Sequence, residues 1–252
     1  MRILHLDVET APNKVYVWGL FNQNVGINQI VEPGYTLCWA AKRQGQKRVM
    51  FNSIYKSDNK VMLKEIWKLI DEADVVVHYN GDKFDIPTLN REFILNGMEP
   101  PTPTHHVDLL KVVRQRFKFP SNKLDYVAQA LGLGGKVKHL GMQLWEDCMD
   151  GDPKAWKLME KYNKQDVILL EKVYDVVLPW IKNHPNHALY LSNDKPTCTN
   201  CGSLKVVKKG TETTLTQVYQ RYKCKDCGTP LRGRTNITPK ATKPSILSQS
   251  KL

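Results

Sequence analysis

The chain has 252 residues, with 37 Lys and Arg against 25 Asp and Glu, for a formal net charge of +12. That length suits one large domain with a small appendage, and 41% apolar with 25% charged residues suits a folded protein. No apolar run approaches the eighteen or so residues of a membrane span, and Asp7 interrupts the first segment too early for a secretory leader, so no membrane partner and an intracellular, cytoplasmic address are expected.

In chain order, residues 2–7 read as a buried strand, with Ile3, Leu4 and Leu6 running into an acid. Residues 36–42 and 48–52 flank Gln44-Gly45-Gln46 as a hairpin. Residues 61–73 carry Val61, Ile66, Leu69 and Ile70 at helical spacing, and 74–77 form a short apolar strand. A helix over 85–95 puts Ile86, Leu89, Phe93 and Ile94 on one face. Three prolines within 98–104 make a loop, and 106–108 end a strand that opens the next helix, with Asp108 as its cap. A helix over 124–131 is broken by glycines between 132 and 135, and Pro153 opens the longest periodic run, 155 to about 181. Strands first, then strands alternating with helices, predict an α/β domain on a mixed β-sheet flanked by helices. The domain reading is 1–182 for this body, 183–196 for a linker with two prolines, 197–230 for a small cysteine-bearing unit, and 231–252 for a basic, disordered tail.

The charge is uneven. Residues 189–252 hold 12 Lys and Arg against 3 Asp and Glu, net +9, so the last quarter of the chain carries three quarters of the excess. Such density favours phosphate backbones or another acidic partner over simple solubility. Cys198-Thr-Asn-Cys201 and Cys224-Lys-Asp-Cys227, separated by 22 residues, have the spacing of one structural Zn²⁺ in a zinc ribbon. Gly202 and Gly228 follow the two pairs and allow the tight turn beneath a metal. Cys38 and Cys148 stand alone in apolar surroundings and read as inert core thiols.

Acids interrupt apolar segments at three places. Asp7-Val8-Glu9 ends a buried strand, and residues two apart share a face, so two carboxylates meet at the sheet's carboxyl end. Their repulsion is relieved by a cation between them. Asp85, in Asn80-Gly-Asp-Lys-Phe84-Asp85, follows a second strand; by itself it would be read as a helix cap. Tyr162 and Asp166 lie four apart on one helical face, where Asp166 alone would be read as solvated surface.

Taken together and in this order, Asp7, Glu9, Asp85 and Asp166, with Tyr162 four residues before the last, resemble the tyrosine branch of the DEDD superfamily of 3′→5′ exonucleases. The resemblance covers about residues 1–182 and extends to His78 and to Ser121-Asn-Lys123-Leu124-Asp125. It is similar to stand-alone, polymerase-B-like proofreading exonucleases of the sort phages often encode. The resemblance implies an RNase H-like fold and hydrolysis assisted by two Mg²⁺ or Mn²⁺ ions. It makes Asp7 a bridge between them, Glu9 and Asp166 ligands of the catalytic ion, Asp85 a ligand of the second, and Tyr162 the group that orients the attacking water. Thr10 and Asn80 match positions near the terminal nucleotide. Phe84 either contacts a base or, the favoured reading, belongs to the core under Asp85. Lys123 and Lys136 are candidate phosphate contacts. The expected reaction removes nucleoside 5′-monophosphates from 3′ ends of single-stranded or frayed DNA in a bacterial cell or phage-infected host. RNA as substrate, or a non-catalytic nucleic-acid adaptor, are the competing readings. The ribbon, with Lys205, Lys208, Lys209, Arg221, Lys223, Lys225, Tyr219 and Tyr222, is expected to hold nucleic acid or to dock onto a separate DNA polymerase or other replication protein.

Overall fold

The computed structural model describes residues 1–250, in two compact units, Met1–Tyr174 and Asp175–Leu252. The elements run β1 (Ile3–Thr10), β2 (Lys14–Val15), β3 (Ile30–Glu32), β4 (Thr36–Arg43), β5 (Val49–Ser53), α1 (Asn59–Asp71), β6 (Val75–His78) and α2 (Asp85–Leu95). They continue with β7 (His105–Asp108), α3 (Leu109–Arg116), α4 (Leu124–Ala130), α5 (Met142–Met149) and α6 (Pro153–Val177). The C-terminal unit adds β8 (Val206–Thr213), β9 (Val218–Cys224) and β10 (Pro230–Asn236).

The first unit is built on a five-stranded sheet of order β5-β4-β1-β6-β7. The pairs β5–β4 and β4–β1 are antiparallel, and β1–β6 and β6–β7 are parallel. This is the mixed sheet flanked by helices that the sequence predicts. Strand periodicity divides β1 between two cores. Leu4, Leu6 and Val8 face one way and pack with Trp39, Met62, Ile66, Leu89 and Phe93. Each such leucine, fully buried, contributes roughly 2 kcal/mol. His5 and Asp7 face the other way, toward α6: His5 meets the Tyr174 ring edge-on at 5.2 Å, and Asp7 meets Asn163. On that side Leu37, Leu144, Trp156 and Met159 complete a second core.

The two-residue periodicity therefore decides which acids can reach α6. A nearly buried pair, Lys42 with Glu171, fixes the helix to β4, and Glu171 also accepts the Gly45 N–H at 2.9 Å across the predicted hairpin turn. In α1 the buried face is Met62, Leu63, Ile66 and Ile70, and Val61 is exposed. Ile94 of α2 is likewise exposed, and Glu92 is buried in its stead, where it pairs with Arg91 at 2.6 Å.

In the C-terminal unit, β10-β9-β8 form a three-stranded antiparallel sheet. Here the structure differs from the sequence reading in two ways. β10 carries the sheet to Asn236, past residue 230 where an irregular tail was expected, because residues 230–232 pair with 221–223; positions 251 and 252 of that tail lie outside the described residues. Residues 183–196 are also more than a linker. The Asn200 amide donates to the carbonyls of Leu178 at 2.8 Å and Ile181 at 3.3 Å, and the His187 N–H donates to Thr199. These bonds tie the segment after α6 to the first cysteine pair. Among the described residues no helix is long and apolar enough to cross a membrane.

Candidate active site

Asp7 and Glu9 leave β1 on the α6 side, and α6 answers with Tyr162, Asn163 and Asp166, all buried. Ligand atoms of Asp7, Glu9 and Asp166 lie within 4.8 Å of one another. Burial first, then the charges of Glu9, Asp166 and Asp85, push the Asp7 carboxyl well above its ordinary range. Burial and Asp166 raise Glu9 to about 8, against the pull of Lys136. Asp166 is raised mainly by burial, with Lys136 and Tyr162 opposing. One of its oxygens pairs with Lys136, and the other, Oδ1, is buried without a hydrogen-bond partner among the described residues. Three carboxyls held this close, one with an unused buried oxygen, form a hard-oxygen donor set that fits a divalent cation.

Asp85 opens α2 beside this group. Its Oδ1 accepts the Val8 N–H at 2.8 Å, and burial lifts it to about 7 although that bond works in the opposite direction. It stands apart from the three-carboxyl cluster. Tyr162 packs against the His139 and Trp145 rings at 4.8 and 5.9 Å. Burial and the Glu9 and Asp166 charges hold its hydroxyl above the usual phenol value, so it stays protonated. Lys136 donates to the Tyr162 hydroxyl at 3.2 Å as well as to Asp166. Burial would lower this lysine, but Asp166 and Tyr162 prevail and it is raised, hence charged.

Lys136 arrives on the loop after α4. Its backbone N–H donates to Asp125 Oδ1 at 2.7 Å, while Gln129 holds the other oxygen at 2.7 Å. Gly134, at φ +105°, makes the turn that brings it there. An open groove of about 500 Å³ runs along this loop, lined by Asp7, Tyr79, Arg114, Lys123 and Lys136 among others.

The remaining sequence candidates fall as follows. Thr10 ends β1, half-buried, opposite Thr36. Asn80 adopts φ +70°, a left-handed conformation asparagine tolerates, and its N–H donates to Asp108 Oδ1 at 2.9 Å. Asp108 caps α3 through the Leu110 N–H, as expected. Phe84 is 44% exposed, so it does not belong to the core beneath Asp85; it sits at the N-cap of α2. His106 meets His78 and Asp82 in a second cluster. There His78 Nδ1 accepts the Gly81 N–H at 3.1 Å, so the neutral ring carries its proton on Nε2, and Lys111 claims Asp82. That is a hydrogen-bonded group with no free ligand set.

Asn163 was missed by the sequence reading. Its amide donates to Asp7 Oδ2 at 2.6 Å, and the available signal was a polar residue one and three positions from Tyr162 and Asp166 on the inward face of α6. Trp145, hydrogen-bonded to Glu9, lies on α5, a short helix that the sequence reading did not identify although Leu144, Trp145, Cys148 and Met149 fall at helical spacing. In the C-terminal unit Cys198, Cys201, Cys224 and Cys227 gather their sulfurs within 4.8 Å. All four are free thiols, with Gly202 and Gly228 at φ +74° and +81° making the turns. Four sulfurs at this separation fit a tetrahedral soft metal such as zinc.

A family model described as the RNase H superfamily matches residues 4–178. The chain belongs to the RNase H superfamily. It is also 24% identical over 195 residues to DNA polymerase 1 of Pyrococcus abyssi, a match covering 66% of this chain and 24% of that protein. The fold resembles the family B DNA polymerase of the hyperthermophilic archaeon Pyrobaculum calidifontis, with TM-score 0.56, 19% identity, and 71% of this chain against 24% of that one. This RNase H superfamily chain thus spans about a quarter of the length of the polymerases it matches.

Proposed function

We propose that the protein is a metal-dependent 3′→5′ exonuclease that removes nucleoside 5′-monophosphates from single-stranded or frayed DNA. The observation that carries this reading is the meeting of Asp7, Glu9 and Asp166, with the unused oxygen of Asp166 and the Tyr162 hydroxyl beside it. Similarity to two proteins named as DNA polymerases supports DNA over RNA.

Asp7, Glu9 and Asp166, with Asp85 alongside, would hold Mg²⁺ or Mn²⁺. Bound there, such ions would neutralise charge developing at phosphorus and make an attacking water more acidic. Asn163 keeps the Asp7 carboxylate aimed at the cluster, and the Val8 N–H does the same for Asp85. A protonated Tyr162 is a poor base, so its part is to orient water by hydrogen bonding. Lys136 stays charged beside the acids and offers a cation to the substrate phosphate once divalent ions satisfy Asp166. Arg114 and Lys123, along the same groove, suit the next phosphates of a strand. Zinc on the four cysteines would be structural, because four sulfur ligands close its coordination.

The test is incubation of 5′-labelled single-stranded DNA and matched RNA with Mg²⁺, Mn²⁺ or neither, beside Asp7→Ala. The expected result is a metal-dependent ladder shortening from the 3′ end on DNA, lost in the variant. The ligand change removes several kcal/mol of charge stabilisation, or at least about 10³-fold in rate. Intact strands under every metal condition, with tight binding kept, would support a non-catalytic adaptor.

A further inference from the structure

The arm between β1 and β4 contributes to neither core. From residue 12 to residue 34 no residue is buried, although 15–31 is the longest stretch of the chain without a charged residue. Tyr16, Trp18, Leu20, Phe21 and Ile27 are each more than three-quarters exposed, Trp18 completely. The arm holds its shape with its own polar groups. β2 pairs with β3 at its foot, and the Tyr16 N–H donates to the Gln29 carbonyl at 3.0 Å. The Gln29 side chain accepts the Gly26 N–H at 2.7 Å and donates to the Tyr16 carbonyl at 2.9 Å. Asn13 Oδ1 takes the Gly34 N–H at 2.6 Å, and Arg91 donates to the Gly34 carbonyl at 2.8 Å. Amides spent on the segment's own backbone, with large apolar side chains left in water, invert the ordinary arrangement of a folded segment.

The exposed area is too large to be incidental. Three aromatic side chains open about 500 Å², and Leu20 and Ile27 add to it. That reaches the top of what a monomer leaves uncovered, and it is over half of the roughly 800 Å² that one partner gives to a stable interface. β2 and β3 also form a sheet of two strands only. Such a ribbon is marginal in water until further strands or a helix cover it.

Charge selects the cover. The arm's single cation and single acid, Lys14 and Glu32, pair with each other at 2.9 Å, so it offers nothing to a phosphate. A nucleic acid or an acidic protein gains more from the rest of a chain at +12. Two copies of that chain repel each other unless they touch where charge is missing, and the arm is both neutral and apolar. Contact between arms rather than between basic bodies also leaves room for salt to screen the repulsion, over about 8 Å at physiological strength.

We propose that this arm is a dimerisation element for a second copy of the chain. Residues 12–34 of the two copies pack apolar face on apolar face about a two-fold axis, with their β2–β3 ribbons side by side. The same patch serves both copies, so each side chain counts twice. Dimerisation through the arm is independent of the reaction at the acid cluster.

The test is sedimentation equilibrium of the full, zinc-loaded chain, in reductant and freed of nucleic acid, across about 1–100 μM. The expected result is a dimer that tightens as salt rises, because salt screens the repulsion between the two bodies. Trp18→Ser/Phe21→Ser alters two exposed positions and leaves the fold of one chain intact. It is expected to weaken association at least about 100-fold, since four aromatic side chains leave a symmetric interface. Ile94→Ser/Leu95→Ser, an exposed apolar pair at the end of α2, is expected to change it less than about 3-fold.

Equal losses in both variants, or a monomer at every concentration, would overturn the proposal. So would association that salt weakens, which is the mark of bridging by a polyanion. Hydrogen exchange at the two ends of the concentration range should slow in 12–34 and nowhere else. Protection of another segment in step with the arm would seat the arm on that segment and overturn the arm-to-arm pairing.

Discussion

In the first unit, apolar side chains close both faces of the sheet, and carboxyls are then set against one another at the carboxyl end of its central strand. In the second, the buried apolar side chains among the described residues, cysteines aside, are Val177, Leu178 and Ile181, and four thiols gather at the centre. The first unit can therefore fold with no ion at its carboxyls and tolerates an acid cluster that burial and repulsion make unfavourable. The second has little besides its cysteine cluster, and the zinc proposed for it, to hold it. One site is a load carried by a finished fold, whereas the other completes the fold. The difference teaches that "metal site" names two opposite relations to stability in one chain.

The hardest way to break that comparison is to remove a thiol. Cys224→Ser should release the zinc and unfold the second unit, since a structural Zn²⁺ contributes on the order of 10 kcal/mol. Protease cleavage within 197–238 should follow, with amide protection in the first unit unchanged. A protected second unit without zinc would end the contrast.

A smaller effect is expected at Lys136, the cation that pairs with Asp166 in the acid cluster. Lys136→Met should lower turnover about 10–100-fold, the scale for groups that support metal ligands. It should also destabilise the first unit in the absence of divalent ions, because Asp166 loses its partner. Added Mn²⁺ should restore the melting temperature but not the turnover. Full recovery of both would reduce Lys136 to a stand-in for the metal.

The smallest effect is in the pH dependence of stability. Glu9 at about 8 and Asp85 at about 7 lie above their unfolded values. The folded protein therefore takes up protons first, and their contribution to stability grows as pH falls from 8 toward 4.5, then levels off. His5 and His78, lowered by burial to about 4, act in the reverse sense: the unfolded chain binds protons first, so stability is lost as pH falls from 6.5 to 4. Without divalent ions, calorimetry should find the first unit's midpoint rising from pH 8 to about 6.5 and gaining no further below it. Saturating Mg²⁺ should flatten the rise, because the ion takes the place of the protons. An unchanged rise with Mg²⁺ would mean these carboxyls do not bind it.

Legibility followed the range of the interactions. The β1 alternation that sends Asp7 toward α6 and Leu6 away is local, and so is the Tyr162–Asp166 spacing; both could be read from the sequence, as could the exact bounds of α2. The paired cysteines carry their own geometry. What escaped was set by contacts distant in sequence. Asn163 matters only because Asp7, 156 positions away, needs a donor. Lys136 was legible as a candidate phosphate contact, but its pairing with Asp166 was not, because Asp125 and Gly134 aim its loop inward. Phe84, a large apolar side chain assigned to the core under Asp85, takes the N-cap of α2 and is left exposed. The end of the ribbon was misjudged because β10 is polar and basic, and its strand character comes from pairing with β9.

That pairing has a practical consequence. β9 lies in the middle of its sheet, with β8 on one side and β10 on the other. A protein shortened at residue 230 would lose the strand that covers β9 and expose a row of unpaired N–H and C=O groups, a template for adding a strand from another molecule. Such a truncation would trade a basic tail for a self-associating edge, and any loss of nucleic-acid binding in it would report aggregation before it reported charge.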